Sequence, residues 1–244
     1  MFSTLLVVFA TASLALAHGG VSGYDIGGKN YTGFAPFNSP DGQSTIERPY
    51  SSYDPILDAT DPTIHCNNDG SAGAGQQTAE VEAGSTITAY WNQWTHEEGP
   101  VMVYMASCGS SSCDSVNSAE ASWFKIAETG LVSGTIGDGV WGNTDVVKTL
   151  KYDAVIPAAL ADGDYLIRHE LLALHQSNNP QFYPECAQLT VTGGGGATPE
   201  GSYLVKFPGG YAMSDPGVTI DIDSEEAMTN SNYTIPGPPV WTGA

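Results

Sequence analysis

The sequence predicts an all-β fold, because short apolar runs with strand-like spacing alternate with frequent turn residues and no long helical pattern competes with them. The chain of 244 residues contains 29 Gly and 15 Pro, which separate these runs. The clearest runs are residues 86–91, 101–106, 165–175 and 187–192. Short strands with long polar connections indicate antiparallel sheets packed face to face, an immunoglobulin-like or fibronectin type III-like β-sandwich with long surface loops.

The segment before residue 18 has the pattern of a signal peptide. Residues 1–17 are almost uncharged and apolar and end in Ala15-Leu16-Ala17, the small-x-small pattern that precedes signal peptidase cleavage. The apolar part is too short to span a bilayer. We therefore expect a secreted, extracellular protein whose mature chain begins at His18.

The rest of the chain, residues 18–244, is expected to form one domain without an appended module. Two Gly-rich segments, 69–75 and 193–201, resemble linkers. About forty residues without cysteine follow the second, too few for an independent domain. We interpret 193–201 as a surface loop and 218–222 as a strand that returns to the sandwich.

The cysteines and two sequons fit an exported protein. Four cysteines suggest two disulfides, with three pairings to choose from. Cys108 and Cys113 are close enough in sequence to close a local loop, which leaves Cys66 to pair with Cys186. Acceptor sequons begin at two asparagines, Asn30 and Asn232.

The charge excludes some partners. Lys and Arg number 7 against 27 Asp and Glu, giving a formal charge of −20, so nucleic acid and anionic membranes are repelled. A neutral polymer or small molecule fits better. The simpler account is that many extracellular proteins from acidic habitats are this acidic.

His18 is the most informative of the five histidines. At a free N-terminus it offers its α-amino group and its ring Nδ1 to one metal ion, and the amino pKa of about 7.7–8.0 makes the neutral donor accessible. A second imidazole would complete three nitrogens in a T, a geometry that suits Cu(II). Alternatively, cleavage falls before a histidine by coincidence.

Several motifs make the sequence resemble auxiliary activity family nine, the fungal lytic polysaccharide monooxygenases once classed as family 61 glycoside hydrolases. They are WTHEEGPV at 94–101, WFKI at 123–126, YLIRHELLALH at 165–175, PQFYPEC at 180–186, FPGGY at 207–211, DPG at 215–217 and IPGP at 235–238. The resemblance extends over nearly the whole chain after residue 17, and it implies that the single domain of residues 18–244 is catalytic, with no appended carbohydrate-binding module.

The resemblance implies a copper site. Its ligands would be His18 through its amino group and ring, His96, and Tyr183 in the axial position, with His175 and Gln181 beside the metal. Gln181 and Tyr183 are two residues apart and so share one face of a strand. The same alternation places His169 and His175 on one face of their strand and Arg168 and Glu170 on the other. His169 is therefore an alternative to His175 for the position beside the metal.

The resemblance also implies a reaction. One copper ion per chain would support oxidative cleavage of β-1,4-glucans, cellulose above all, by hydrogen abstraction at C1 or C4. The co-substrate would be dioxygen or hydrogen peroxide, and electrons would come from a small-molecule reductant or a cellobiose dehydrogenase-like donor. The protein would act as a monomer, and exposed tyrosines, Tyr211 and more weakly Tyr24, would lie against the sugar rings.

Two other functions are compatible with the same composition. A hydrolytic endoglucanase needs two carboxylates at a defined separation, and the 27 acidic residues offer many pairs. A non-catalytic carbohydrate- or copper-binding module would need neither the axial tyrosine nor the neighbouring pair. Oxidised products that depend on a reductant distinguish the monooxygenase from both.

Overall fold

The structure is a computed structural model that describes residues 18–243, so the proposed signal peptide lies outside the described residues. The strands are β1 (Val21–Ile26), β2 (Lys29–Thr32), β3 (Ala79–Glu82), β4 (Thr86–Trp91), β5 (Val101–Ser107), β6 (Trp123–Thr129), β7 (Leu131–Gly134), β8 (Gly139–Trp141), β9 (Lys151–Val155), β10 (Gly163–Ala173) and β11 (Gln181–Thr192). The α-helix α1 (Gly142–Thr149) follows β8.

The strands form two main sheets and a small ribbon. One sheet has the order β2-β1-β4-β9, the other β3-β11-β10-β5-β6, and β7 pairs with β8. The pairs are antiparallel except β3 with β11, which run parallel. The predicted all-β sandwich is confirmed, and the parallel pair is a departure from a purely antiparallel one.

Alternation along the strands creates two apolar cores. Odd-numbered residues of β10 and β11, such as Ile167 and Leu189, pack with residues of the other sheet in the core between the sheets. Even-numbered residues, such as Leu172 and Phe182, pack under long loops that contribute Ile64 and Val218. Both faces of these two strands are therefore buried.

Disulfides and backbone hydrogen bonds attach the long loops to the sandwich. Cys66 pairs with Cys186 and Cys108 with Cys113, as predicted. Residues 193–201 form a surface loop whose backbone is hydrogen-bonded to residues 158–161. The expectation of a strand at 218–222 is wrong, because this segment runs through turns while its apolar residues cover the outer core.

Within residues 18–243, no helix is long and apolar enough to cross a membrane. The two sequon asparagines, Asn30 in β2 and Asn232 in the C-terminal loop, are both exposed. Their glycosylation remains a prediction.

Candidate metal centre

Two histidine rings approach each other at one end of the sandwich. His18 lies just before β1, and His96 lies in the loop between β4 and β5, the strands that correspond to the predicted runs 86–91 and 101–106. Their ring centroids are 5.6 Å apart. Trp94 fixes the loop, since its Nε1 donates to the His96 carbonyl at 2.8 Å and its ring meets the His96 ring edge-on.

The His96 ring is well placed to act as a metal ligand. Its Nε2 is buried and has no hydrogen-bond partner among the described residues. Burial, with smaller contributions from His175 and His18, lowers the pKa of His96 to about 4. The ring is therefore neutral near pH 5–7, and a neutral imidazole nitrogen is the form that binds a metal.

The first residues of β11 complete this corner. The Tyr183 ring lies 5.7 Å from that of His18 and 6.5 Å from that of His96, centroid to centroid. Its hydroxyl donates to Gln181 Oε1 at 2.7 Å. The two side chains thus share a face of the strand, as their spacing predicts, and burial raises the pKa of Tyr183.

His175 lies against His96, with ring centroids 3.8 Å apart and planes 4° from parallel. Its Nδ1 is buried without a partner in the described chain, and burial lowers the pKa of the ring. The strand parity used to relate it to His169 does not apply, because β10 ends at Ala173 and His175 lies in the following loop.

His169 is separate from this cluster. It is fully buried in the core between the sheets, where its ring contacts Tyr24 and Trp91. Arg168 and Glu170 point to the other face, as predicted, and form a buried ion pair at 2.7 Å. Of the two candidate histidines, the structure brings only His175 to His18 and His96.

The donor set fits copper only if the N-terminus takes part. No group of three or more His, Cys, Asp or Glu side chains that could hold a metal is found in residues 18–243. His18 and His96 supply two imidazoles, and a free α-amino group on His18 would supply the third nitrogen. Tyr183 would add an oxygen, and a nitrogen-rich set with one oxygen is a set that Cu(II) accepts.

The expectation that Tyr211 and Tyr24 contact substrate is wrong, because both are buried, with 4% and 1% of their surface exposed. The Tyr211 hydroxyl is hydrogen-bonded to Glu170 and Tyr104 beneath the loops. Tyr24 points into the core between the sheets. Neither ring can lie against a sugar.

Phe37 is an exposed aromatic that was not among the predicted site residues. Its loop follows β2 and is linked through Tyr53 and Tyr50 to Val21, three residues after His18. Phe37 has 72% of its surface exposed and meets the Tyr53 ring edge-on at 5.1 Å. Ile56, three residues after Tyr53, exchanges two backbone hydrogen bonds with Phe182, the neighbour of Tyr183. The signal in the sequence was an aromatic flanked by turn residues, in FAPFNSPDG at 34–42.

The comparisons with known proteins agree with this geometry. Residues 18–233 match the family model "Auxiliary Activity family 9 (formerly GH61)". A relative from Heterobasidion irregulare, "AA9 family lytic polysaccharide monooxygenase B", is 56% identical over 98% of both chains. The crystal structure of HiLPMO9B is 57% identical, covering 93% of this chain and 100% of that one, with a TM-score of 0.88.

A second solved structure is a cellulose-active polysaccharide monooxygenase from M. thermophila. It is 42% identical and covers 93% of this chain and 100% of its own, with a TM-score of 0.83. By family match, identity and fold, the chain belongs to auxiliary activity family 9, a family of lytic polysaccharide monooxygenases.

Proposed function

We propose that residues 18–244 are a secreted copper enzyme that cleaves β-1,4-glucans oxidatively, with cellulose as the main substrate. The observation that carries this proposal is the meeting of His18, His96 and Tyr183 in one corner, with His175 and Gln181 alongside. Membership of the monooxygenase family supports the same reaction.

Removal of residues 1–17 would complete the metal site. The family match begins at His18, the residue that the small-x-small cleavage pattern would release. A free amino group and the ring of the same residue can then chelate one ion. An uncleaved chain would offer an amide there and lose this donor.

His18 and His96 would hold the copper, and the Tyr183 hydroxyl would offer it an oxygen ligand. Bound copper supplies one-electron redox chemistry toward dioxygen or hydrogen peroxide. The hydrogen bond from Tyr183 to Gln181 fixes the phenol, and burial raises the pKa of Tyr183, which favours its protonated form. Burial lowers the pKa of His175 and so favours its neutral ring, which would give or accept a hydrogen bond at the co-substrate, as groups around a metal site commonly do.

The overall chemistry converts a sugar C–H bond at C1 or C4 into C–OH, after which the glycosidic bond breaks. With dioxygen, each turnover consumes two electrons and two protons and releases water; with hydrogen peroxide, oxygen insertion consumes no further electrons. The electron donor is a small-molecule reductant or a cellobiose dehydrogenase-like protein. We propose that the enzyme acts as a monomer.

The charge agrees with a neutral substrate. With a net charge of −20, the surface repels nucleic acid and anionic lipid but leaves an uncharged glucan unaffected. A hydrolytic endoglucanase has no need of two histidine rings at a cleavable N-terminus, and a non-catalytic copper-binding module would not need Tyr183, His175 and Gln181 beside them.

The test is mass spectrometry of the soluble products that copper-loaded mature protein releases from amorphous cellulose, with and without ascorbate. Aldonic acids or 4-keto sugars that require ascorbate are expected, and the oxidised position gives the regioselectivity. His96→Ala serves as the control and should form none. Unoxidised sugars released without ascorbate would instead identify a hydrolase, and copper binding without any product would favour the binding module.

A further inference from the structure

The backbone from His18 to Val21 is held by side chains on both sides. On one side, Gln93 Nε2 donates to the His18 carbonyl at 3.1 Å. Asn92 Oδ1 accepts from the Gly20 N–H at 3.0 Å, and the Asn92 N–H donates to the Gly20 carbonyl at 3.1 Å. Residues 92 and 93 thus bind this segment at three points.

On the other side, two buried side chains hold Val21. The Tyr50 hydroxyl donates to the Val21 carbonyl at 3.3 Å, and the Glu185 carboxyl accepts from the Val21 N–H. Glu185 is 1% exposed and Tyr50 4% exposed. Glu185 shares the inward face of β11 with Tyr183, two residues earlier, so the support comes from the strand that carries the tyrosine.

The two glycines after His18 allow these partners to come close. A Cβ on Gly19 would lie 2.0 Å from the Gln93 carbonyl oxygen and 2.6 Å from Asn92 Oδ1. A Cβ on Gly20 would lie 2.7 Å from the Tyr50 hydroxyl and 3.1 Å from Glu185 Oε1. Larger residues at either position would push the segment off its supports.

We propose that Asn92, Gln93, Tyr50 and Glu185 are positioning residues that fix the first residues of the mature chain and so aim the amino group and ring of His18 at one ion. The proposal rests on the function proposed above. A chain terminus frays unless it is tied down, and both chelating nitrogens belong to the terminal residue. Ordering the segment before the metal arrives removes that entropic cost from metal binding.

The experiment measures Cu(II) affinity by calorimetric competition, together with the Cu(II) electron paramagnetic resonance spectrum, on protein with a verified His18 N-terminus. Asn92→Ala removes the acceptor for Gly20, and Asn92→Asp keeps it. Gly19→Ala adds the clash. Asn117→Ala is the matched control, because its Oδ1 also accepts a backbone N–H at 3.0 Å, from Ala119, in the loop after Cys113.

Asn92→Ala and Gly19→Ala should each weaken copper binding by about 10- to 100-fold, the usual effect of losing an outer partner of a metal site. Their spectra should also change. Asn92→Asp should keep the wild-type spectrum, and Asn117→Ala should keep both spectrum and affinity while losing a similar amount of thermal stability to Asn92→Ala.

Two results overturn the proposal in distinguishable ways. If the wild-type protein binds copper and both Asn92→Ala and Gly19→Ala bind it equally well with an unchanged spectrum, the positioning role is wrong and the proposed function stands. If processed wild-type protein binds no copper, the proposed function fails and the positioning role fails with it.

Discussion

Burial favours the neutral form of three histidines, His96, His169 and His175. The pKa of His96 falls to about 4 and that of His169 to about 3, in both cases chiefly because a buried imidazolium is poorly solvated. The pKa of His175 is lowered for the same reason. Imidazole nitrogens are therefore available as ligands or hydrogen-bonding groups without first losing a proton.

His175 is expected to act on the reaction and not on metal binding. His175→Ala should leave the copper affinity nearly unchanged and reduce turnover by roughly 10- to 100-fold, since a hydrogen-bonding group is lost beside the metal. Calorimetry and timed product analysis measure the two effects. Full turnover in this variant would remove His175 from the mechanism.

His169 should affect stability through pH. A histidine in the unfolded chain titrates near 6.5, whereas folded His169 titrates at about 3. Between these two pKa values only the unfolded state binds the proton, so the folded state loses stability as the pH falls below 6.5. Above pH 6.5 this histidine has no effect on the pH dependence of stability. The groups that face His169 are Tyr24, Trp91 and its cross-strand neighbour Glu185.

The variant His169→Leu removes this titration. The free energy of unfolding of the wild type, relative to the variant, should fall by about 1.4 kcal/mol for each pH unit below 6.5. Urea denaturation at pH 7, 6 and 5 measures it. A difference that stays constant with pH would contradict the prediction, and a folded variant should retain turnover, unlike His175→Ala.

Single residues also mark where prediction from sequence ends. The spacing of Gln181 and Tyr183 was enough to put them on one face, because strand alternation is a local property. Tyr211 follows a Pro-Gly-Gly turn, which indicated exposure, yet it is buried because its hydroxyl completes the hydrogen bonding of the Arg168–Glu170 pair. That partner lies 41 residues away in sequence, so no local pattern announces it.

At the scale of elements, the site is built by loops attached to strand ends. The loop before β5 carries His96, the loop after β10 carries His175, and the start of β11 carries Tyr183. Strand patterns predicted where β4 and β5 lie and hence the His96 loop. The predicted run 165–175 continues two residues beyond the end of β10 at Ala173. Leu174 prolongs the apolar pattern, but its backbone N–H already donates to the Glu98 carbonyl in the neighbouring loop.

The loop with Phe37 should contribute to binding of the glucan. Its ring is exposed and supported edge-on by Tyr53, and residue 56 of the same region is bonded to β11 beside Tyr183. An exposed aromatic near a site for a neutral polymer offers a face to sugar rings. Phe37→Ala should weaken adsorption to cellulose by roughly threefold to tenfold, in line with a contact of about 1 kcal/mol.

Tyr90→Ala is the control for this prediction, since Tyr90 is also exposed but belongs to β4, between buried Ala89 and Trp91. Its adsorption should equal that of the wild type. Copper affinity should be unchanged in both variants. Equal adsorption by Phe37→Ala and wild type would leave the substrate surface elsewhere.

Across the whole molecule, short strands and turns in the sequence were enough to predict the sandwich, but they did not predict the second core, which lies between the five-stranded sheet and the long loops. Residues such as Ile64, Phe207 and Val218 lie in irregular segments and cover the outer face of the five-stranded sheet. Irregular segments have no hydrophobic period to read. Residues 218–222 are the exception, because Val218, Ile220 and Ile222 alternate with polar residues and so imitate a strand. The parallel pairing of β3 with β11 was not foreseen because the two strands are distant in sequence.

The two disulfides should contribute unequally to the stability of this two-core fold. Cys66–Cys186 links residues 120 apart and joins the loop-covered core to β11, whereas Cys108–Cys113 spans 5 residues. In the chain-entropy model, closing a loop of about 100 residues stabilises by about 4.7 kcal/mol, and loops shorter than about 15 residues by less than about 3 kcal/mol. The Cys66→Ala/Cys186→Ala variant should therefore lose more stability than Cys108→Ala/Cys113→Ala.

Chemical denaturation of both double variants measures the difference. Because Cys186 lies three residues after Tyr183 on β11, the larger loss should also loosen the metal corner, and copper should restore part of it by binding only the folded state. Equal losses in the two variants would mean that the unfolded chain is already compact enough for the long link to add little.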